Sequence, residues 1–502
     1  MTSTFHVKHF GCRAARADGE AVSDRLHAAG HCVRQTNEAD VVIVNTCSVT
    51  AEADRAARAF IRRVHRLNPA AKIVVTGCYA QRAPEELAGL EGVAAVVGNS
   101  HKTLAAEIIS RLVGAAPAAE ESRSLGEIDE RHPSGAKALF DFAGLMYGLK
   151  PVPFNEQGNS AFGQAPIWAD DRFAHSFLEE AQVVPGAQTR PNLKIQEGCG
   201  NRCAFCVIPQ TRGSSKSLPA ASVLRQVEGF VAAGGKELVL SGINLGRWGR
   251  DLPDSEVAAP RTLTGLLREI FERTALNRLR LSSIEPMDCD AELIGLMAEF
   301  GGTRLARHAH LPLQSGSDAV LRRMHRRYRP WHYVEKVEAL RQACGTELTL
   351  GADVMVGFPG ETDAEFEETM ALVRTLPFGY LHLFPFSPRP ATIGWTLHAE
   401  RPVPAKAVAE RMTALRVLAA DKSATHRRRF VGRELEAITL HTPGEMEARG
   451  QSAALTENFL PVELEGLLEA NRLMRVRVTG LNAEGTLEAE VVTSAGEAPA
   501  SS

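Results

Sequence analysis

Three patterns predict an α/β multidomain protein. Over residues 1–118 short apolar strands alternate with helical stretches, the signature of an open parallel α/β sheet. Residues 190–432 repeat a strand–helix unit six times, which predicts an incomplete TIM-like (β/α)6 barrel. Residues 433–492 change to short alternating strands, the pattern of a small β-barrel.

In the first segment the strands are Phe5–Phe10, Val41–Val44, Ile73–Val75 and Ala94–Val97. Three of them run into a cysteine, at Gly11-Cys12, Asn45-Thr46-Cys47 and Thr76-Gly77-Cys78. The carboxyl ends of strands in an open parallel sheet share one edge, where ligands bind. Cys12, Cys47 and Cys78 are therefore expected to converge as a three-thiolate cluster site despite their separation in sequence. A single buried cysteine is usually a core residue; the recurrence of one placement on three strands is what argues for ligands.

Residues 119–189 dissolve into Ala, Pro, Gly, Ser and acidic residues and read as a linker or partly disordered insert. Within it, Ala138–Met146 is the apolar piece suited to a helix. The six strands of the third segment fall near Leu193–Gln196, Glu237–Ser241, Arg280–Ser283, Ala309–Leu313, Leu348–Val354 and Tyr380–Phe384. Polar motifs follow several of them: Ser241-Gly242-Ile243-Asn244, Ser282-Ser283-Ile284-Glu285-Pro286, Pro312–Ser317 and Val356–Glu361. Singly, each reads as a turn. Together they fall where barrels keep their chemistry, in the loops after the strands. The last segment offers strands at Leu435–Leu440, Phe459–Val462, Met474–Val478 and Leu487–Val492, and the tail 493–502 reads as disordered.

Right after the first barrel strand stands Cys199-Gly200-Asn201-Arg202-Cys203-Ala204-Phe205-Cys206, a CxxxCxxC run too tight for ordinary disulfide pairing. Three crowded thiolates hold a metal. A zinc site would need a fourth ligand, usually from a second CxxC or HxxxH pair, and no such pair stands nearby. Three ligands with one open position suit an iron-sulfur cube with a free iron. The other cysteines, Cys32, Cys289 and Cys344, lack partners at ligand spacing and read as core or surface thiols. No histidine is assigned to a metal.

The 502 residues allow two to four domains. A net charge of -3, 44% hydrophobic residues and 23% charged ones are ordinary for a soluble globular protein. No long apolar run and no apolar N-terminal stretch argue for a membrane span or a signal peptide, so a cytoplasmic location is expected. Nine cysteines, six of them in two ligand-like sets, also fit a reducing compartment.

Cys199, Cys203, Phe205 and Cys206 resemble the signature of the radical S-adenosylmethionine (SAM) enzymes. The resemblance implies that the open iron chelates the amino and carboxylate groups of SAM and that Phe205 lies near the adenine. It also implies a SAM and substrate pocket at the barrel mouth, with Ser241, Asn244, Ser283, Glu285, Gln314 and Gly357 as cofactor-binding residues. With both cysteine sets in view, the chain is similar to the methylthiotransferases over nearly all its length except 119–189. Asn45-Thr46-Cys47, Val75–Gln81, Lys194–Cys199, Pro312–Ser317 and Gly357–Glu361 carry that similarity, in this order. Thr456-Glu457-Asn458-Phe459 and Arg326-Arg327-Tyr328 look most like the bacterial branch that acts on tRNA.

What the family implies is specific. Its C-terminal barrel is a TRAM domain, and its substrate in this branch is N6-threonylcarbamoyladenosine at position 37 of tRNA. Two 4Fe-4S clusters work in turn. The one on Cys199, Cys203 and Cys206 passes an electron, from a donor protein, to SAM; the resulting 5'-deoxyadenosyl radical opens adenine C2. The one on Cys12, Cys47 and Cys78 supplies sulfur methylated by a second SAM. Arg322, Arg323, Arg326, Arg327 and Arg329 are expected to contact RNA phosphates, with His426–Arg429 a weaker candidate. Two places depart from the family: Arg13–Ala17 replaces an Asn-containing segment, and Gln210-Thr211 stands where an aromatic is usual. Other readings stay open: isopentenyl-modified adenosine or a ribosomal-protein aspartate as target, a non-enzymatic metal-containing RNA-binding module, or an iron-sulfur electron carrier. The oligomeric state is not legible.

Overall fold

The computed structural model describes residues 3–113, 165–171, 173, 178, 189–253 and 260–492. These fall into two compact units, residues up to 177 with Val207–Gly213, and Leu178–Cys206 with the chain from Ser214 onward. The helix expected at Ala138–Met146 and the tail 493–502 lie outside the described residues.

The first unit is built on β1 (Thr4–His9), β2 (Cys32–Val33), β3 (Val41–Thr46), β4 (Lys72–Gly77), β5 (Val93–Gly98) and β6 (Ile167–Trp168). All pair in parallel, in the order β2-β1-β3-β4-β5-β6. Successive side chains of a strand face opposite ways, and here both faces are covered. Val42, Val44, Ile73 and Val75 pack with Ala57, Ile61 and Val64 of the helix Ala51–Leu67. Val41, Ile43 and Val74 pack with Val22 and Leu26 of the helix Arg13–Ala28. Burial on both faces is why these strands read as continuous apolar runs. One element departs from expectation: Ile167–Trp168, within the stretch read as a linker, adds an edge strand beside β5. Two residues are too few to leave a periodic signal.

The second unit continues with β7 (Asn192–Glu197), β8 (Lys216–Ser217), β9 (Glu237–Gly242), β10 (Arg278–Leu281), β11 (His308–His310), β12 (Thr349–Val356) and β13 (Phe378–Pro385). Sheets β10-β9-β7-β8 and β11-β12-β13 meet through the parallel bridge Leu279↔Leu305. Apart from the antiparallel hairpin strand β8, the six strands run parallel, as an incomplete barrel. Leu193, Ile195, Leu238, Leu240, Leu279, Leu281, Ala309, Leu350, Ala352 and Val354 belong to the apolar core shared with the surrounding helices. Period-two alternation then turns Lys194, Gln196, Glu237, Arg280, His310, Asp353 and His382 to the other face, and the barrel interior is polar.

β14 (Glu434–Thr439), β15 (Gln451–Thr456), β16 (Pro461–Glu465), β17 (Leu473–Leu481) and β18 (Leu487–Val491) close a barrel in the order β14-β15-β16-β18-β17. Leu435, Ala437, Val462, Leu464, Val476 and Val478 fill it. β15 escaped the sequence reading because Gln451-Ser452-Ala453-Ala454 offers small residues and little apolar alternation. The turn after β15 docks this barrel on the larger one. Phe459 (φ 71°) lies 4.3 Å from the His308 ring and 5.6 Å from Tyr380, with the Arg280 guanidinium 5.2 Å over it. Glu457 accepts from Arg307 Nε at 2.8 Å and Asn458 Nδ2 donates to the Glu347 carbonyl at 2.9 Å. Beneath them, burial would raise the Glu237 carboxyl, but Arg280, Arg190 and Arg278 outweigh it and hold the group below its usual range. Thr456–Phe459, which in sequence looks like the bacterial branch acting on tRNA, makes this docking turn.

The helix Ala405–Arg428 ends against β12, where His426 Nε2 meets Thr349 Oγ1 at 2.9 Å. Burial, reinforced by Arg429 and Arg427, lowers this imidazole to about 4. Between that value and the ordinary 6.5 the unfolded chain holds a proton the folded chain lacks, so stability falls as pH falls through the window. Denaturant unfolding of the parent is expected to lose at most about 3 kcal/mol more than His426→Gln across it. Equal slopes for the two proteins would remove His426 as the source.

Candidate active site

In the first unit β1, β3 and β4 are neighbours, and each carries a predicted cysteine just beyond its carboxyl end. Cys12 is the N-cap of the helix Arg13–Ala28 and is exposed; Cys47 and Cys78 are buried. Close approach there demands glycine. A Cβ on Gly11 (φ +128°) would sit 2.7 Å from Cys47 Cβ, and one on Gly77 (φ +97°) 2.3 Å from the Thr46 carbonyl oxygen. Burial and then neighbouring Cys78 push the Cys47 thiol up to about 12; the Val49 N–H opposes this, Cys12 adds to it and Arg212 opposes it. All three thiols follow neighbouring parallel strands, at the same edge of the sheet. A thiol this hard to ionise is a poor nucleophile near neutral pH, whereas a coordinated metal deprotonates a thiol outright. Around the set, Asn99 Nδ2 stands 3.5 Å from Cys78 Sγ and also donates to the Thr211 carbonyl at 2.8 Å. Arg212, fully buried, donates to Asp18 Oδ2 at 2.9 Å.

The second set sits in the loop after β7, where Gly198 has φ 70°. The loop is tied at its centre: Ala204 N donates to the Met324 carbonyl at 3.0 Å, and Gly394 N to the Ala204 carbonyl at 2.7 Å. Cys199, Cys203 and Cys206 are all half-buried. Two donors reach Cys199 Sγ, the Asn201 N–H at 3.4 Å and Asn244 Nδ2 at 3.7 Å. Arg326 Nη1 reaches Cys203 Sγ at 3.2 Å. Burial raises the Cys199 thiol, with the Asn201 N–H pulling against it and Cys203 adding to it. N–H donors thus reach Cys199 and Cys203, and three crowded thiols suit an iron-sulfur cluster, whose potential such hydrogen bonds tune.

Residues expected at the barrel mouth divide in the structure. Asn244 faces Cys199, its own N–H received by Gln196 Oε1 at 2.7 Å. Glu285 is half-exposed and paired with Arg326 at 2.5 Å, Phe205 packs half-buried on the core, and Ser283 is exposed. Ser241 is buried, its hydroxyl directed at the Leu193 carbonyl. Gln314 is buried at φ 63°, its backbone bridging to Asp353 and Met355. Gly357 N donates to Glu361 Oε2 at 2.8 Å, and a Cβ there would meet Val408 at 2.6 Å. Ser315 and Gly316 turn onto Thr369 of the helix Asp363–Thr375, a packing role.

The arginine run needs correction. Arg326 is no surface residue: its side chain is 4% exposed, because Cys203 and Glu285 draw it inward. Arg323 forks onto Glu365 at 2.8 Å, and Arg329 pairs with Asp318 at 3.1 Å. Arg322 and Arg327 remain exposed, so the five do not form one basic stripe. Sequence reasoning also passed over Gln196, whose Nε2 donates to the Glu197 and Gly198 carbonyls at 2.9 Å each and so braces the cysteine loop. Its position at an inward-facing strand end, after Leu193 and Ile195, was the signal.

Comparison with known proteins agrees with this geometry. Residues 4–98 match the uncharacterized protein family UPF0004, and residues 193–373 match the radical SAM superfamily. The chain is 32% identical over 481 residues to threonylcarbamoyladenosine tRNA methylthiotransferase MtaB of Bacillus subtilis, covering 95% of this chain and 93% of that protein. It is 30% identical to the enzyme of the same name from Thermotoga maritima, over 99% of both chains. A tRNA-2-methylthio-N(6)-dimethylallyladenosine synthase of Cereibacter sphaeroides is 32% identical, over 94% of this chain and 95% of that one. In fold, the chain resembles the radical SAM methyltransferase TsrM of Kitasatospora setae, with a TM-score of 0.52 over 80% of each chain at 16% identity. Matched along nearly its whole length and carrying the three-thiol loop on its barrel, the chain belongs to the radical SAM tRNA methylthiotransferase family.

Proposed function

We propose that this enzyme methylthiolates C2 of N6-threonylcarbamoyladenosine at position 37 of tRNA, using two SAM molecules and two 4Fe-4S clusters. The observation that carries the reading is the pair of three-cysteine sets, each just past the carboxyl ends of parallel strands. Adenine C2–H has no usefully acidic proton and no leaving group, so acid–base catalysis does not suffice there. Bound to Cys199, Cys203 and Cys206, a cluster with SAM supplies the radical chemistry that C2–H activation needs.

The chain's own part is binding and orientation. Gln196 and Asn244 hold the loop and Cys199; Arg326 holds Cys203 and Glu285, leaving the Glu285 carboxylate at the mouth for the methionyl ammonium or ribose of SAM. Half-buried Phe205 offers an apolar wall. Cys12, Cys47 and Cys78 hold the second cluster, with Asn99 donating to Cys78. An electron donor protein completes the system, and a cytoplasmic site of action follows from the tRNA substrate. Among the described residues no helix is long and apolar enough to cross a membrane.

Mass spectrometry of nucleosides from tRNA of a strain lacking the gene, with and without its restoration, tests the reading. Loss and recovery of the methylthio group on threonylcarbamoyladenosine is the expected result. If methylthio-isopentenyladenosine disappears in its place, the chemistry stands and the substrate is that of the dimethylallyladenosine relatives. No change in either nucleoside would overturn a tRNA substrate.

A further inference from the structure

The polar interior of the barrel contains a group that neither cysteine set uses. His310, Asp353 and His382 lie on β11, β12 and β13, with Asp353 and His382 directly paired in register. Asp353 Oδ1 stands 3.2 Å from His310 Nε2 and 3.3 Å from His382 Nδ1. Behind them Tyr380 joins His310 at 3.0 Å to His308 at 2.8 Å. Exposure rises toward the open side, with side chains 7%, 23% and 57% exposed for His310, Asp353 and His382. These groups pair with one another, yet Asp353 and His382 keep an edge open to water, and an apolar ligand set against that edge would remove the water without replacing its hydrogen bonds.

We infer that His310, Asp353 and His382 form the subsite that receives the N6 substituent of the target adenosine and selects a polar, carboxylate-bearing one over an apolar one. The inference rests on the reading above. A threonylcarbamoyl arm brings urea N–H and hydroxyl donors for Asp353 and a carboxylate for the imidazoles. An isopentenyl arm brings none of these. A site built to hydrogen-bond its ligand rejects the analogue that lacks those groups far more strongly than an apolar pocket rejects an extra methylene.

The test compares kcat/KM of the reconstituted holoenzyme on one tRNA carrying either threonylcarbamoyladenosine or isopentenyladenosine. The parent is expected to prefer the first by at least about 10³-fold. His382→Leu, on an exposed side chain, and the isosteric Asp353→Asn are each expected to narrow that ratio by roughly 10- to 100-fold. A purely structural role would lower both rates together and leave the ratio unchanged, which would overturn the subsite while the activity stands. Preference of the parent for isopentenyladenosine would overturn the function reading and the subsite with it. The three ligand atoms also lie within 4.8 Å of one another, as in a metal site. One equivalent of zinc kept by the parent and lost from both variants, with iron unchanged, would assign them to a metal and overturn the subsite as well.

Discussion

Cys203→Ala is expected to abolish SAM cleavage, and Cys47→Ala to leave cleavage in place while stopping sulfur insertion. The two residues have different neighbours in the structure. Cys203 lies in the loop after β7 with Arg326 on its sulfur; Cys47 follows β3, which lies between β1 and β4 in the other sheet. Removing a ligand from one set should empty that site and take about half the iron. Losses of 5'-deoxyadenosine formation should exceed about 100-fold for Cys203→Ala, more than loss of a group that merely supports a ligand produces. Chromatography with mass detection of 5'-deoxyadenosine and of the methylthio nucleoside reads both outcomes. Equal SAM cleavage by the Cys203 variant and the parent would sink the division of labour.

Arg326→Ala should disable the same site without weakening tRNA binding. Its guanidinium is buried between Cys203 Sγ and Glu285, with the Tyr328 ring 5.0 Å away. Removing one partner of a fully buried ion pair costs about 3–5 kcal/mol; Glu285, at 23% exposure, stays partly solvated, so the cost here is expected to fall below that range. Arg326→Lys should rescue little, since a point charge cannot reach both partners as the planar fork does. Iron content and SAM cleavage should fall together. Filter binding at several salt concentrations separates this from a phosphate contact: a lost contact lowers the salt slope by about 1. That change is expected for exposed Arg322→Ala or Arg327→Ala and not for Arg326→Ala. A salt slope lowered by Arg326→Ala with SAM cleavage intact would restore the surface reading.

Local pattern carried much of this molecule. Strands followed by Cys12, Cys47 and Cys78 could be placed on one sheet edge because a parallel sheet puts all its carboxyl ends together. The CxxxCxxC loop reads as a ligand set through its spacing alone. Strongly periodic barrel strands were legible for the same reason, whereas Ile167–Trp168 and Gln451–Thr456 were too short or too small-residued to show.

Tertiary structure decided what charge and polarity were for. An arginine run looks like one solvated stripe in sequence, yet helix and turn geometry sends Arg326 to Cys203, Arg323 to Glu365 and only Arg322 and Arg327 outward. Thr456–Phe459, which in sequence looks like the tRNA-acting branch, is seen only in the fold to make a docking turn. His310, Asp353 and His382 are scattered over some seventy residues, and nothing local distinguishes them from other polar residues on half-buried strands. Their meeting depends on β11, β12 and β13 pairing in one register. Sequence alone determined most of the longer elements and which cysteines follow neighbouring strands, because both follow from short-range periodicity and strand direction. Which side chains share a pocket follows from register and burial, and these exist only once the chain has folded.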